Sequence, residues 1–294
     1  MSDKATTRFS IVIPAYNEEN FIGRALESLN NQKFNGGYEI IVVDNNSTDN
    51  TYQIAKRFGA KVIKESERGV CKARQAGTKL AQGEIVISTD ADNTFSPDWL
   101  KNIDLKFKSD SNIIAVGGSC VYVNGPWWVN IYARMLFSLF NLIYKITGQT
   151  YYASGANIAF YKRYWRGYPA FIAQGGDELY LLKQLREQGR VCFQQDNPVY
   201  TSARRQNRGF IYNLFVTLIW YYFLEYNLSK IFKKSVLGSA PHFSDLGKKH
   251  KKNLIRLSQI SLVLIIVLGM FKFDIINSVK SSFNSVINKV RSTQ

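Results

Sequence analysis

Apolar and polar residues come in blocks along the first ninety positions, and the blocks switch period. Ser10–Ile13 is a short apolar run that reads as a buried strand, and Pro14 closes it because proline brings no N–H to a ladder. Phe21, Ile22, Ala25, Leu26 and Leu29 then recur at helical spacing, with Asn17 placed to cap a helix from about Glu18 to Asn30. Tyr38–Asp44 is a second strand that ends on a carboxylate. Asn45-Asn46-Ser47-Thr48-Asp49 supplies turn and cap residues for a helix through about Phe58. Lys61–Lys64 is a third, short strand. A helix follows from about Gly69 to Ala81, broken by Gly83, and Glu84–Thr89 is a fourth strand, apolar enough to be buried on both faces. The order β-α-β-α-β-α-β predicts an α/β fold with a doubly wound, mainly parallel sheet.

Candidate chemistry begins where that fourth strand ends. Asp90-Ala91-Asp92 places two carboxylates just past its carboxyl end, where open α/β sheets bind ligands. Hard oxygen donors there suit Mg²⁺ or Mn²⁺, ions that bridge diphosphates. Farther on, Gly176-Asp177-Glu178 opens a helix carrying Leu181, Leu182 and Leu185 and ended by Gly189. Arg204 and Arg205 follow a short strand, Val199–Thr201, and paired guanidiniums suit phosphate oxygens.

In its motifs the chain resembles the family 2 glycosyltransferases, which have the GT-A fold. The matching pieces are Pro14-Ala-Tyr-Asn-Glu18, Val42-Val-Asp-Asn-Asn-Ser-Thr-Asp-Asn-Thr51, Gly69-Val-Cys-Lys-Ala-Arg-Gln-Ala-Gly77 and Thr89-Asp-Ala-Asp92. Gly155-Ala-Asn157, Gly176-Asp-Glu178 and Thr201-Ser-Ala-Arg-Arg205 continue them in the family's order, over about residues 9 to 208. The resemblance implies a nucleotide-sugar donor, with UDP or GDP, and a division of roles. Pro14, Ala15, Tyr16 and Glu18 cradle base and ribose, and Asp44 accepts from the base N–H. Arg74 lies near the nucleotide, Asp90 faces the ribose or sugar, and Asp92 holds the metal. Asn157, Arg204 and Arg205 are assigned to phosphate or acceptor. Of the acidic pair, Glu178 stands where the family has its base and Asp177 where it has the preceding acid, in the order Asp-Glu rather than the commoner Glu-Asp. Gln75 stands where the family often has Asn, and Gly167-Tyr168-Pro169 replaces a Gly-Gly-Phe turn.

Composition narrows the alternatives. His242 and His250 are the two histidines, which disfavours a histidine-built zinc site or a Ser-His-Asp triad in the core domain. Cys71, Cys120 and Cys192 have neither metal-like spacing nor a pairing signal, so free, buried thiols in a reducing compartment are expected. The polar stretch at residues 1–8 lacks the apolar run of a signal peptide. A nucleotidyltransferase would need a Gly-rich basic loop where this chain has Pro14–Glu18, and an inactive scaffold would not need Asp44, Asp90, Asp92 and Glu178.

Charge and hydropathy add a membrane. The net charge is +16, and residues 201–294 hold 15 Lys/Arg against 3 Asp/Glu. A basic tail beside apolar segments points to an anionic membrane rather than to nucleic acid. Residues 127–146 are apolar except for Asn130, Arg134, Ser138, Asn141 and Lys145, which form one narrow stripe on a helix. Such a helix is either a core element or an interfacial one. Residues 257–273 just reach spanning length, and residues 275–290 read as an amphipathic helix. The basic loop between 209–232 and 257–273 belongs on the cytoplasmic side, so only the latter is expected to enter the bilayer. The expected organisation is a nucleotide-sugar half (1–125), an acceptor half (126–208) and membrane-associated C-terminal helices (209–294). The expected acceptor is lipid-linked or a glycan, reached from the cytoplasmic face of a cell membrane.

Overall fold

A computed structural model describes residues 7–169, 176–209 and 225–234. The chain divides into two compact units, Met1–Ala240 and Pro241–Gln294, and the described residues lie in the first. The candidate span 257–273, the tail 275–290 and most of 209–232 lie outside them. The strands are β1 (Thr7–Ala15), β2 (Gly37–Asp44), β3 (Lys61–Lys64), β4 (Ile85–Ser88), β5 (Asn93–Thr94), β6 (Ile113–Val123), β7 (Ile158–Tyr161) and β8 (Arg190–Ser202). The helices are α1 (Ile22–Asn30), α2 (Thr51–Arg57), α3 (Val70–Leu80), α4 (Trp99–Lys108), α5 (Trp127–Thr147), α6 (Asp177–Arg186) and α7 (Glu225–Phe232).

One eight-stranded sheet runs through both expected halves, in the order β3-β2-β1-β4-β7-β6-β8-β5. The pairs β1–β2, β1–β4, β2–β3 and β6–β8 are parallel; β4–β7, β6–β7 and β5–β8 are antiparallel. The first half is therefore the doubly wound unit expected from the sequence, and β7 is where the direction reverses. The β1 strand runs through Pro14 rather than stopping before it. Its pairing with β4 ends at Val12, so Pro14 has a ladder partner on the β2 side alone and its missing N–H costs nothing. The first helix begins at Ile22, not near Glu18. Asn17 sits in the left-handed region (φ 52°) and its Oδ1 accepts from the Thr48 N–H at 2.8 Å, so it ties two loops together instead of capping.

The packing of α3 sets the position of what it carries. Cys71, Ala73, Gly77 and Thr78 are buried on its inner face. A Cβ at Gly77 would lie 2.4 Å from a methyl of Val12 on β1, so the helix rests almost on the sheet there. Ahead of β4, a Cβ on Gly83 would stand 2.6 Å from backbone atoms of Phe9 and Ser10. The Gly83 N–H donates to Ser10 Oγ at 2.7 Å.

The α5 helix settles as a one-sided element. Val129, Ala133 and Phe137 are buried, while Trp127 (82 %), Met135 (69 %) and Ile146 (75 %) stand in the open. Among the described residues no helix is long and apolar enough to cross a membrane. The three cysteines are unpaired and buried. Burial raises the Cys71 thiol and pushes Cys120 up to about 12.

Because the neighbours of Gly83 are backbone atoms that cannot rotate away, Gly83→Ala is expected to lower stability by about 1–3 kcal/mol through overpacking. Urea unfolding of the two proteins measures it; an unchanged midpoint would mean that the loop yields freely.

Candidate functional site

Four loops leave the carboxyl ends of β1, β2, β3 and β4 on one edge of the sheet, and polar side chains knit those after β1, β2 and β3 into a floor. The Asn17 N–H donates to Ser47 Oγ at 3.1 Å and the Glu18 N–H to Thr51 Oγ1 at 2.8 Å. Asp49 takes the Glu19 N–H, and Glu19 takes the Asn50 N–H, each at 3.1 Å. Asn45 Nδ2 donates to the carbonyls of Glu65 (2.9 Å) and Glu67 (2.7 Å), and its Oδ1 accepts from the Gly69 N–H at 2.7 Å. Asp44 is buried beside it, and one of its oxygens accepts from the Ser47 N–H at 3.2 Å. Above this floor the Arg68 guanidinium lies 4.4 Å from the centre of the Tyr16 ring.

Two arginines organise the acids. Arg74 Nη2 donates to Asp90 Oδ1 at 2.8 Å and approaches the Gly155 carbonyl at 3.4 Å, while Nη1 donates to Asp177. The Arg74 and Asp177 side chains are 6 % and 3 % exposed; that of Asp90 is 40 % exposed. Burial by itself would lower the Arg74 pKa, but the charges of Asp177 and Asp90 outweigh it and hold the guanidinium protonated, well above its ordinary value. Glu178 is buried next to this group. A Cβ on Gly155 would lie 3.4 Å from Arg74 Nη1 and 3.6 Å from the Glu178 Cβ. Enclosure and the Glu178 charge together raise the phenol of Tyr152.

The second arginine, Arg204, stands in a short 3₁₀ turn just after β8. Its fork takes both oxygens of Glu18, one of them at 2.8 Å, and reaches Asp92 at 3.3 Å. Its guanidinium also lies 4.5 Å from the centre of the Phe21 ring. Burial pushes the Asp92 carboxyl up to about 6, with Arg204 opposing the shift and Asp90 and Glu18 adding to it. Arg205 is exposed, and Asp92 feels its charge too.

Asp92 fits a hard divalent ion. It is a buried carboxylate that feels the negative charges of Asp90 and Glu18 as well as the guanidiniums of Arg204 and Arg205. Among the described residues no group of three or more His, Cys, Asp or Glu side chains is placed to enclose an ion. A shell begun by one or two carboxylates leaves positions for phosphate oxygens and water, which is how Mg²⁺ is ordinarily held.

The expected site residues thus fall into two linked groups, Arg74–Asp90–Asp177 with Glu178 alongside, and Glu18–Asp92–Arg204. At the end of β1, Ala15 is in register with Asp44 and Pro14 with Val43. Asn157 departs from the expected phosphate or acceptor contact. Its Nδ2 donates to the carbonyls of Ser119 and Asn197, both at 3.0 Å, and its Oδ1 accepts from the Trp99 indole at 3.3 Å. The side chain is spent on joining β6, β7 and β8. Gly167-Tyr168-Pro169 is held by two amides: Gln75 accepts from the Tyr168 N–H at 2.8 Å and Gln184 donates to the Gly167 carbonyl at 3.1 Å. From the sequence Asn45 is expected only as a turn or cap residue, and Arg68 is not expected at the site at all. Asn45 stands next to Asp44 in the same turn motif, and Arg68 immediately precedes Gly69, whose φ is 138°.

The profile of Glycosyl transferase family 2 matches residues 10–167. Poly(ribitol-phosphate) beta-N-acetylglucosaminyltransferase TarS of Staphylococcus aureus (strain Mu50 / ATCC 700699) is 28% identical over 215 residues, 68% of this chain and 36% of TarS. Dolichol-phosphate mannosyltransferase of Pyrococcus furiosus is 31% identical over 123 residues, 40% of this chain and 34% of that enzyme. The chain therefore spans about a third of the length of these curated relatives. Among solved structures, the mannosyltransferase PcManGT from Pyrobaculum calidifontis, in complex with GDP-Man and Mn²⁺, superposes with a TM-score of 0.61 at 22% identity. The match covers 90% of this chain and 76% of that one. Staphylococcus aureus TarS 1-349 in complex with UDP superposes with a TM-score of 0.55 at 22% identity, covering 69% and 62%.

Truncating Arg74 strands a buried carboxylate, so Arg74→Ala is expected to cost about 3–5 kcal/mol. Removing Asp177 as well should recover part of that loss. Urea unfolding of the four proteins of the double-mutant cycle measures the coupling; additive losses would mean that the pair is not joined in solution.

Proposed function

The chain belongs to glycosyltransferase family 2, and from that premise we propose that it transfers a sugar, with inversion, from a UDP- or GDP-sugar to a lipid-linked acceptor at the cytoplasmic face of a cell membrane. The observation that carries this reading is the guanidinium of Arg74, which brings Asp90 from the donor side and Asp177, with Glu178 beside it, into one cluster. Single displacement needs that proximity, because a base and a departing diphosphate must flank one carbon.

The residues divide the work. Asp44 accepts the base N–H, and Pro14, Ala15, Tyr16 and Glu18 hold base and ribose away from the reacting carbon, so that remote binding energy positions it. Asp90 orients ribose or sugar. Asp92 holds Mg²⁺ or Mn²⁺, which when bound supplies Lewis-acid neutralisation of the leaving diphosphate. Glu178 takes the proton from an acceptor hydroxyl as the bond to the sugar forms, and Asp177 is fixed by Arg74 as its neighbour. Arg204 and Arg205 offer guanidiniums to diphosphate or acceptor phosphate.

Membrane attachment rests on the cationic C-terminal third and on the apolar segment 257–273. A second acceptor chemistry is favoured by the arginine pair beside Asp92. A polyprenyl phosphate is already a nucleophile and needs no base, and a relative that works on such a lipid by name is 31% identical over 123 residues.

Asp92→Asn is expected to abolish Mn²⁺-dependent nucleotide binding while leaving the fold intact. Calorimetry with UDP and GDP tests it, and unchanged affinity would remove Asp92 from the metal site. Glu178→Gln is expected to lose about 10²–10⁴-fold in turnover on a hydroxyl acceptor with donor affinity retained. On a polyprenyl phosphate acceptor the same variant is expected to be mild and Arg204→Ala severe. Full turnover of Glu178→Gln on a proven hydroxyl acceptor would end its role as base.

A further inference from the structure

Helix α5 packs on β6 and β8 with one face and leaves another bare. Val129, Ala133 and Phe137 point into the core, and Phe137 stacks against Tyr152 and Phe193. Its polar stripe is partly committed to the sheet. Asn130 exchanges two hydrogen bonds with the backbone of Tyr122, at 2.8 and 2.9 Å, and Ser138 Oγ accepts from Gln195 at 3.2 Å. Trp127, Ile131, Met135, Leu139, Leu142 and Ile146 are each more than half exposed. Steps of four, four, four, three and four residues keep them in one band along the whole of this 21-residue helix. At 1.5 Å per residue the band is about 30 Å long. An apolar patch of that length on a soluble surface marks an interaction site.

We propose that this band is a docking face for an anionic lipid bilayer, on which α5 lies flat rather than crossing. The inference rests on the membrane-attached reading above and assigns it a second, independent contact. Charge complementarity selects the occupant. Within the helix Arg134 and Lys145 are exposed cations, and no acidic residue occurs between Trp127 and Thr147. A second copy pressed against the band would bring like charges together, whereas anionic headgroups neutralise them. Trp127, 82 % exposed at the amino end, is the amphipathic aromatic that headgroup regions accommodate. The consequence for the enzyme is positional. The β8 strand beneath α5 leads directly into the turn that carries Arg204, so the docked helix holds that side of the site at the surface where a lipid-linked acceptor resides.

The test uses the full chain. Its native thiols are buried, so a nitroxide can be placed on Met135→Cys, Leu142→Cys and, as a polar-side control, Arg134→Cys. Each labelled protein is bound to phosphatidylcholine vesicles containing phosphatidylglycerol. Collision with lipid-soluble oxygen and with a water-soluble nickel chelate is then read by electron paramagnetic resonance. On the docked helix, oxygen accessibility at 135 and 142 rises several-fold and nickel accessibility falls, while 134 stays open to nickel. Nickel access retained at 135 and 142 would place the band in water. Low access to both reagents would mean that protein covers it, either the chain's own apolar segments or a second copy. Either result overturns the proposal while leaving vesicle binding itself intact. A chain that does not bind these vesicles at all overturns both this inference and the membrane-attached reading.

Discussion

The buried guanidinium of Arg74 is the interaction on which the site depends. Its two ends hold carboxylates 16 and 103 residues away in sequence, Asp90 just past β4 and Asp177 at the first turn of α6. Neither Arg74 nor Asp177 has water to fall back on, so each requires the other. The cluster places one side of the sheet's carboxyl edge against the other. It does so because α3 sits close enough to β1 to deliver the arginine, which the missing side chain of Gly77 permits.

The second ion group follows the same logic in a more open setting. Glu18 and Asp92 come from loops that follow different strands, and Arg204 answers both from beyond β8. Burial raises the Asp92 carboxyl more than Arg204, which is shared with Glu18, and Arg205 together lower it. Such a place accepts further positive charge, and a divalent ion with a diphosphate supplies charge of both signs at once. On the proposed reading, the two arginines serve the two things such a site must control, the geometry of the reacting groups and the charge of the leaving group.

Much of the nucleotide half was legible in the sequence because local rules govern it. The period switches located β1, α1, β2, α2, β3, α3 and β4, and the carboxylates at strand ends marked the edge where ligands bind. The rest was hidden for identifiable reasons. The β6 strand carries Gly117-Gly118 in its middle, which breaks its apolar run, and β8 contains Asp196-Asn197-Pro198, which reads as a turn. In the sheet the register jumps from Gly118↔Gln194 to Cys120↔Val199, so those residues form an irregularity within one long strand. Asn157 matched a motif, yet its amide is spent on three structural bonds, a role that depends on Trp99, Ser119 and Asn197 and so on distant parts of the chain. Arg74 was placed near the nucleotide, but its bond to Asp177 spans half the domain, and spacing carries no information over that distance. For α5 the sequence left two readings open, and burial on one face alone combines them: a core contact inward and an apolar band outward.

All of these elements converge on one stereochemical requirement. In the proposed single displacement the acceptor oxygen, relieved of its proton on the Glu178 side, attacks the sugar carbon from the face opposite the leaving diphosphate, while Arg74 holds Asp90 and Asp177 together. Proton NMR of the first-formed product, with the anomeric coupling read before mutarotation or secondary transfer, tests this most directly. The product is expected to carry the anomeric configuration opposite to that of the nucleotide sugar supplied. Retention of the donor's configuration would contradict it.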